Sequence, residues 1–315
     1  MPPPLPRETQ AEVKPWDTQD NLLRRVVATG ARLLRIAQPP SPADATPIAP
    51  SPLATAPSGP AHRPPPPAFS RTVWTDRLWG EGMAIPGGTE EVLRLAALLP
   101  LVPAHTVLLA GLGARAAGGV LAGARGCFVA AHDLLTPGPP APGRRPLPKR
   151  VTAATFSPEA PGFRAAYHQH ALLLEPFRQG GAPEQMLRAT ATALRDSGEV
   201  VLLDVVAREP KATPRWLTLE DRHPPPTESV MANAFEKAGF RVHVVEDAGA
   251  RHQRAVLLGW AALLEALRLE PTRPSPQAAA ALVTEAEAWL WRLRLLHQGQ
   301  LRLLRWHATM VRRPI

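Results

Sequence analysis

The feature of this sequence that most restricts its fold is a short apolar run that ends in two glycines. Residues 106–110 read Thr-Val-Leu-Leu-Ala and lead directly into Gly111-Leu112-Gly113. An apolar run without polar alternation is typical of a strand that is buried on both faces, and such strands occur in parallel sheets. Small residues at 116–124 then predict a helix, and residues 127–131 predict a second strand. The order of strand, glycine turn, helix and strand indicates an α/β fold.

Strands and helices continue to alternate along the chain. Apolar runs predict further strands at 171–174, 199–206, 240–245 and 254–260. Helical spacing and capping residues predict helices at 89–99, 183–195, 227–238 and 276–311. Strands of this kind, separated by helices, require a mostly parallel sheet that is covered on both faces. We therefore predict a doubly wound α/β domain.

Proline divides the chain into regions. Of the 39 prolines among the 315 residues, 17 fall within the first 67 positions. A Pro/Ala/Ser-rich stretch cannot bury enough apolar surface to offset its ordering entropy, so residues 1–70 are predicted to be a largely disordered extension. One amphipathic helix is expected inside it, over residues 18–36. We expect the α/β domain to span 71–262 and an Arg-rich helical extension to follow over 263–315.

Several classes of protein are excluded by composition. Cys127 is the single cysteine, which rules out a disulfide framework or a cysteine-based zinc site within the chain. No apolar run approaches the 18 residues or so that a membrane-spanning helix needs. From these features we expect a soluble, cytoplasmic protein.

The formal net charge of +9 invites a nucleic-acid interpretation. Residues 288–315 contain six arginines and no acid, which is suited either to phosphates or to a packed helix with a solvated Arg face. No zinc-finger spacing, aromatic RNA-binding strand or Lys/Arg block is present, so the packed helix is favoured and no nucleic-acid partner is expected. A protein partner or self-association through the terminal helices stays open.

The glycine turn and an acid downstream of it point to a cofactor that contains a nucleoside. In a doubly wound sheet the ligand lies outside the carboxyl ends of the strands, beside the first strand–turn–helix. Gly111 and Gly113 stand at that turn, and Asp133 follows Gly111 by 22 residues, where an acid can bind a ribose hydroxyl. The alternative is that the glycines only turn the chain and that Asp133 caps a loop.

Residues 74–260 resemble the class I S-adenosylmethionine (SAM)-dependent methyltransferases. Residues 106–115 align without gaps with that family's first motif, in which a strand ending in an acid and a hydrophobic residue precedes Gly-x-Gly-x-Gly. Residues 78–82, Leu-Trp-Gly-Glu-Gly, followed by Pro-Gly-Gly at 86–88, resemble the segment before this motif in N-methyltransferases of the phosphoethanolamine type. The resemblance implies a seven-stranded sheet and SAM as cofactor. The cofactor contacts that it implies are Trp79, Glu81, Gly82, Gly111, Gly113 and Asp133.

Two departures from the motif bear on the cofactor. The acid of the first motif is Leu109 here, and the third glycine of the loop is Arg115. A large side chain is expected to be strained where the motif requires a left-handed backbone. Either Arg115 pairs with the cofactor carboxylate and preserves binding, or the pocket has decayed and the domain is a scaffold.

Candidate catalytic groups lie around the predicted strand at 171–174. Strand alternation places His168 and His170 on one face, and Glu175 follows five residues after His170. A histidine could act as a base or contact the substrate, and Glu175 and Asp204 could face the pocket. A metal site would need a third ligand that is not evident, so none is expected.

Together these features predict a SAM-dependent methyltransferase that acts on a small molecule. Because the sulfonium of SAM already activates the methyl group, the protein chiefly supplies in-line alignment and a dry pocket. The alternative prediction is a non-catalytic methyltransferase-like scaffold or binding module with a decayed cofactor site.

Overall fold

The structure, a computed structural model, describes residues 72–134, 147–210 and 213–311. Within these residues the chain forms eight helices and seven strands. The helices are α1 (Thr72–Trp79), α2 (Gly88–Ala96), α3 (Ala114–Arg125), α4 (Pro183–Ala193), α5 (Pro214–Glu220), α6 (Glu228–Lys237), α7 (Gly249–Leu269) and α8 (Pro276–His297). The strands are β1 (Thr106–Gly111), β2 (Phe128–Leu134), β3 (Val151–Phe156), β4 (His168–Leu174), β5 (Leu194–Ala207), β6 (Phe240–Asp247) and β7 (Leu301–Met310).

All seven strands form one sheet in the order β3-β2-β1-β4-β5-β7-β6. Neighbouring strands from β3 to β5 are parallel, whereas β7 runs antiparallel to both β5 and β6. From β1 the chain continues to β2 on one side of the sheet, and from β4 it continues to β5 on the other side. The topological switch point therefore lies between β1 and β4. The predicted doubly wound, mostly parallel α/β fold is confirmed.

The apolar strands explain why the sheet is covered on both faces. Alternate residues of β1 divide between two cores: Val107 and Leu109 belong to one, and Leu108 and Ala110 to the other. The first core is covered by α1, α2, α3, α7 and α8, and the second by α4 and α6. A strand that buries both sets of side chains has to be apolar throughout, which is the pattern from which the fold was predicted.

The last strand lies elsewhere than the sequence indicated. Residues 254–260, predicted as a strand, belong to helix α7. The helix predicted over 276–311 ends at His297, and Leu301–Met310 forms β7 between β5 and β6. Short apolar runs fit a helix or a buried strand equally well, and only pairing with β5 and β6 decides between them. Residues 301–310 are therefore part of the sheet and do not form an appended helical extension.

A long insertion separates the two final strands. Helices α7 and α8, residues 249–297, stand between β6 and β7 in the chain, and we refer to them as the α7–α8 arm. The arm contributes large buried side chains to the first core, among them Trp260, Trp289 and Leu293. It is thus an integral part of the domain, and its helix α8 contacts α5 and β7.

Two further points concern regions of the sequence. The predicted extension over 1–70, with its amphipathic helix at 18–36, lies outside the described residues. In the part of the chain that the structure describes, no helix has the length and the apolar character needed to cross a membrane.

Candidate functional site

The glycine turn lies directly against the end of the neighbouring strand. Gly111 has a φ of 125° and Gly113 a φ of 64°, both in the left-handed region that glycine tolerates. A Cβ added to Gly111 would lie 1.9 Å from the carbonyl oxygen of Leu174, and the N–H of Leu112 donates to that same oxygen at 2.8 Å. The glycines therefore let the turn pack directly against the backbone at the end of β4, beside the place where a doubly wound sheet holds its ligand.

Asp133 lies beside this turn. Its strand pairs with β1 so that Asp133 is opposite Gly111. The backbone N–H of Arg115, in the first turn of α3, donates to both carboxylate oxygens of Asp133 at 3.3 Å. Gly113 caps α3 without a side-chain hydrogen bond. The structure thus brings together three of the residues that sequence reasoning assigned to the cofactor: Gly111, Gly113 and Asp133.

The segment before the first motif, residues 78–88, folds onto the glycine turn, and we refer to it as the cover segment. A Cβ on Gly113 would lie 2.8 Å from the carbonyl oxygen of Gly82, and one on Gly82 would lie 2.9 Å from the Cβ of Ala116. The N–H of Gly82 donates to the Oδ1 of Asp76 at 2.8 Å. Asp76, which sequence reasoning missed, therefore anchors the cover over the turn. Burial raises the pKa of this carboxyl group, against the lowering effect of the Gly82 hydrogen bond.

Trp79 and Glu81, the two other residues of this segment that the resemblance assigned to the cofactor, differ in their surroundings. Glu81 is exposed at the surface next to Gly82. Trp79 is buried, with its ring 5.3 Å from that of Trp289 and packed so closely on Gly259 that a Cβ there would lie 2.4 Å from it. The indole of Trp79 thus belongs to the contact with the α7–α8 arm and does not form an open wall above the turn.

Arg115 and Leu109, the two departures from the motif, have different consequences. Arg115 lies inside α3 and has no left-handed backbone, so the strain expected there from the sequence does not arise. Leu109 is completely buried in the first apolar core. The position at which the methyltransferase motif has an acid is therefore apolar and offers no hydrogen bond.

His168 and His170 lie at the wrong end of the sheet for the role that sequence reasoning gave them. Both stand at the amino end of β4, and His170 pairs with Val107 whereas Leu174 pairs with Gly111. Four residues of strand put His170 about 13 Å from the carboxyl end. Burial lowers the pKa of His168 to about 4 and lowers that of His170. These neutral histidines are not placed to act on a ligand at the glycine turn.

Glu175, the third candidate, lies at the carboxyl end of β4 but is fully engaged. It accepts hydrogen bonds at 2.8 and 2.9 Å from the guanidinium of Arg292, and the Nη1 of Arg222 is 3.4 Å away. Burial by itself would raise the pKa of Glu175, but the adjacent Arg292 guanidinium outweighs burial and holds that pKa at about 2. Glu175 is therefore a permanent anion at neutral pH and a poor base.

A buried group of charges surrounds Glu175, and we refer to it as the ion-pair cluster. Its members are Glu175, Arg178, Glu220, Arg222 and Arg292. Glu220 accepts from Arg292 at 2.7 Å, and this guanidinium overcomes the effect of burial and lowers the pKa of Glu220 well below its usual value. Sequence reasoning found only Glu175, because no local pattern links positions so far apart in the chain.

Asp204 and His252 border this cluster. Burial raises the pKa of Asp204 to about 7, although Arg222 and the backbone N–H groups of Phe177 and Val205 oppose the rise. Burial lowers the pKa of His252 to about 3. The interior beside the end of β4 thus combines permanent charges with two groups that stay neutral over much of the acidic range.

Two cavities bear on where a ligand could lie. A cavity of about 10 Å³ lies between Glu175, His252 and Ile85, which is room for about one water molecule. A much larger cleft, of about 1050 Å³, opens where β5 and β6 end, between Arg208, Glu228 and Arg302. Since β5 is two strands away from β1, the larger cleft does not lie at the glycine turn. In the described residues no group of three or more His, Cys, Asp or Glu side chains could hold a metal ion.

Comparisons with known proteins identify the fold. Neither a protein-family model nor a curated protein matches the chain. Among solved structures, it is similar to phosphoethanolamine N-methyltransferase 2 of Haemonchus contortus, with a TM-score of 0.59 and 15% identity over 76% of this chain and 57% of that one. The chain thus spans little more than half the length of the nematode enzyme.

Two other solved structures are similar over most of their length. One is a putative sarcosine dimethylglycine methyltransferase from Galdieria sulphuraria, with a TM-score of 0.50 and 14% identity over 70% of this chain and 82% of that one. The other is the [4+2]-cyclase SpnF, with a TM-score of 0.51 and 14% identity over 70% and 80%. These likenesses confirm, at the level of the fold, the resemblance seen in the sequence: the chain has the class I SAM-dependent methyltransferase fold.

Proposed function

We propose that this protein is a SAM-dependent methyltransferase that acts on a small molecule. One observation carries the proposal: the left-handed turn at Gly111 and Gly113 and the carboxylate of Asp133 meet at the first turn of α3, beside the switch point of the sheet. Open α/β sheets bind their nucleotide-type ligands at this place. The nematode and algal proteins of the same fold are named as methyltransferases, and the nematode structures contain SAM or S-adenosylhomocysteine.

The residues present fit one part of SAM better than the other. Asp133, at the end of β2 and opposite Gly111, is a suitable acceptor for ribose hydroxyls, so the adenosine end of the cofactor fits. Leu109 gives the opposite end an apolar neighbour where the motif has an acid. SAM, when bound, supplies a methyl group that is activated by its sulfonium.

The role left to the chain is to position the reactants and exclude water. Gly82 and Asp76 hold the cover segment against the glycine turn, which shields the crevice from solvent. No base is assigned, because Glu175 is held in an ion pair with Arg292 and because His168 and His170 lie at the amino end of β4, away from the glycine turn. An acceptor that is already nucleophilic needs none. A cytoplasmic location and a small-molecule acceptor are parts of the same proposal.

A second candidate function is a non-catalytic module with the methyltransferase fold. Two observations favour it: Leu109 removes the acid of the motif, and the interior beside Glu175 contains a cavity of only about 10 Å³. The similar protein named as a [4+2]-cyclase illustrates that this fold is used for other purposes. Contacts through the terminal helices, expected from the sequence, would serve such a module.

Calorimetric titration with S-adenosylhomocysteine separates the two candidates. The wild type is compared with Asp133→Ala and with a matched control, Asp196→Ala, which removes an exposed acid at the opposite edge of the sheet. Binding that is lost in Asp133→Ala and kept in Asp196→Ala supports a working cofactor site, and transfer of labelled methyl groups to small molecules is then measured. Absence of heat with the wild type at millimolar ligand would exclude the methyltransferase and leave the non-catalytic module.

A further inference from the structure

The guanidinium of Arg292 donates four of its five N–H groups to two buried carboxylates. Its Nη1 and Nη2 donate to the two oxygens of Glu175 at 2.8 and 2.9 Å, and its Nε and Nη2 donate to the two oxygens of Glu220 at 2.7 Å each. The Cζ of Arg292 also lies 4.9 Å from the centre of the Trp289 ring. All three charged side chains are at most 2% exposed. Two bidentate carboxylates and an aromatic face make a strong binding site for a planar cation.

The two carboxylates are held by parts of the domain outside the α7–α8 arm. Glu175 follows β4, and its backbone N–H donates to the carbonyl of Leu203 in β5 at 2.7 Å. Glu220 ends α5, where the indole N–H of Trp216 donates to its Oε1 at 2.8 Å. The cation and the aromatic face come from the arm, since Arg292 and Trp289 both lie in α8. The two carboxylates of the site are therefore supplied by the α/β domain, and the cation is supplied by the arm.

This site lies where the fold is expected to hold its ligand. The carbonyl of Leu174 contacts Gly111 at the end of β1, and Glu175 is the next residue. Ile85 and Pro86 of the cover segment line the small cavity that Glu175 and His252 also border. The hydrogen bonds to Glu175 thus place the guanidinium of Arg292 at the carboxyl end of β4, beside the switch point between β1 and β4.

Stability alone does not explain the arrangement. Burying an ion pair removes charges from water at a large desolvation penalty, and apolar residues of similar volume commonly do as well or better. The remaining arginines of the cluster are more distant from the carboxylates: Arg222 at 3.4 and 3.6 Å and Arg178 at 3.6 Å. The four short hydrogen bonds all go to Arg292, so the carboxylates are arranged around that one cation.

We propose that Arg292 is a built-in occupant of the crevice beside the cofactor turn, held there by Glu175 and Glu220 as a cationic ligand would be, and that it closes the acceptor position of the folded chain. The reference to an acceptor rests on the proposed function, whereas the cation site does not. In this state a small molecule reaches the end of β4 only when Arg292 is withdrawn.

The test removes the internal cation and offers a free one. Arg292→Ala is compared with the wild type and with Arg294→Ala, a matched control two residues along the same helix whose guanidinium lies over Trp291 outside the cluster. Thermal unfolding is followed in millimolar methylguanidinium chloride and in sodium chloride of equal ionic strength. We expect methylguanidinium to raise the Tm of Arg292→Ala saturably by several degrees, because a ligand that binds only the folded state stabilises it. The wild type and Arg294→Ala should not respond.

A further variant shows whether the carboxylates are responsible. The variant Glu175→Gln with Glu220→Gln and Arg292→Ala lacks the charges on both sides and should not respond to methylguanidinium. No saturable shift in Arg292→Ala, or an equal shift in the wild type or in the variant without carboxylates, overturns the proposal. If Arg292→Ala does not fold unaided, refolding from urea that depends on methylguanidinium supports the proposal, and failure with both salts overturns it.

The outcome is separable from that of the proposed function. Titration of the wild type with S-adenosylhomocysteine reports on Asp133 and the glycine turn, whereas the methylguanidinium response reports on Glu175 and Glu220. If Arg292→Ala responds to methylguanidinium but the wild type does not bind S-adenosylhomocysteine, the cation site is supported and the proposed methyltransferase function is rejected. The reverse result would leave the cofactor site in place and reject the internal occupant.

Discussion

Gly111 and Leu174 are in backbone contact across β1 and β4: a Cβ on Gly111 would lie 1.9 Å from the Leu174 carbonyl oxygen. This contact fixes the glycine turn to the strand that also presents Glu175. The glycine turn and the residue that binds Arg292 therefore meet at one point of the backbone, and changes on either side of it have distinct expected effects.

Gly111→Ala should destabilise the domain strongly. The new methyl group overlaps the Leu174 carbonyl, and the φ of 125° is strained for any side chain. Together these effects should lower the free energy of unfolding by about 3 kcal/mol or more. Urea denaturation measures the difference. Gly123→Ala is the control, because Gly123 lies within α3 with nothing within 4 Å of an added Cβ, and alanine there should stabilise by about 0.5–1 kcal/mol. Equal effects of the two substitutions would contradict the contact.

Arg292→Met should be among the most destabilising substitutions in the chain. It leaves Glu175 and Glu220 buried without their main cation, and removal of one partner from a buried ion pair costs about 3–5 kcal/mol. Arg294→Met, in the same helix, should change stability by about 0.5 kcal/mol or less. Equilibrium unfolding in urea compares the two. A loss below about 1 kcal/mol in Arg292→Met would mean that the carboxylates find other partners.

The dependence of stability on pH should reveal opposing contributions from a buried carboxyl group and from buried histidines. Burial raises the pKa of Asp204 to about 7, so the folded state holds this proton and Asp204 makes stability fall as the pH rises from about 4 to 7. Burial lowers the pKa of His252 to about 3, so the folded state excludes that proton and His252 makes stability fall as the pH drops below about 6.5. His168, whose folded pKa burial lowers to about 4, adds a slope of the same sign as that of His252, so between about pH 4 and 6.5 the opposing slope of Asp204 offsets only one of the two.

Single substitutions should separate these slopes. In Asp204→Asn the free energy of unfolding should rise more steeply with pH than in the wild type, and in His252→Gln less steeply, each slope changing by up to about 1.4 kcal/mol per pH unit. Urea unfolding at several acidic pH values measures the slopes. Identical slopes in the wild type and both variants would show that neither group titrates in this range. Below about pH 4.5, stability should drop further, because Glu175 becomes protonated in the unfolded chain while its folded pKa of about 2 keeps it ionised in the folded state.

Asp76→Ala should loosen the cover over the glycine turn. The substitution leaves the N–H of Gly82 without the carboxylate that accepts its hydrogen bond at 2.8 Å. We expect faster amide hydrogen exchange at Gly82 and a several-fold weaker affinity for S-adenosylhomocysteine, since a hydrogen bond to a charged group is worth about 1.5–3 kcal/mol. Asp196→Ala serves again as the control. Unchanged exchange at Gly82 would show that the cover is held by other contacts.

Much of the sheet could be predicted because its signals are local. The apolar run at 106–110, the two glycines and the acid 22 residues after Gly111 placed Gly111, Gly113 and Asp133 together, as the structure has them. The same reasoning could have excluded His168 and His170: they precede the apolar part of β4, and parallel strands put their amino ends at the edge away from the ligand.

The sequence by itself determined strands β1, β2, β4, β5 and β6, the position of the glycine turn and the identity of the acid beside it, because each depends on residues close together in the chain. Only the tertiary structure decided that Leu301–Met310 completes the sheet and that Arg292 meets Glu175 across 117 positions and Glu220 across 72. No local sequence pattern marks these buried charges, because the partners of Arg292 depend on where the α7–α8 arm packs against the rest of the domain. That packing places Arg292 at the end of β4, beside the glycine turn.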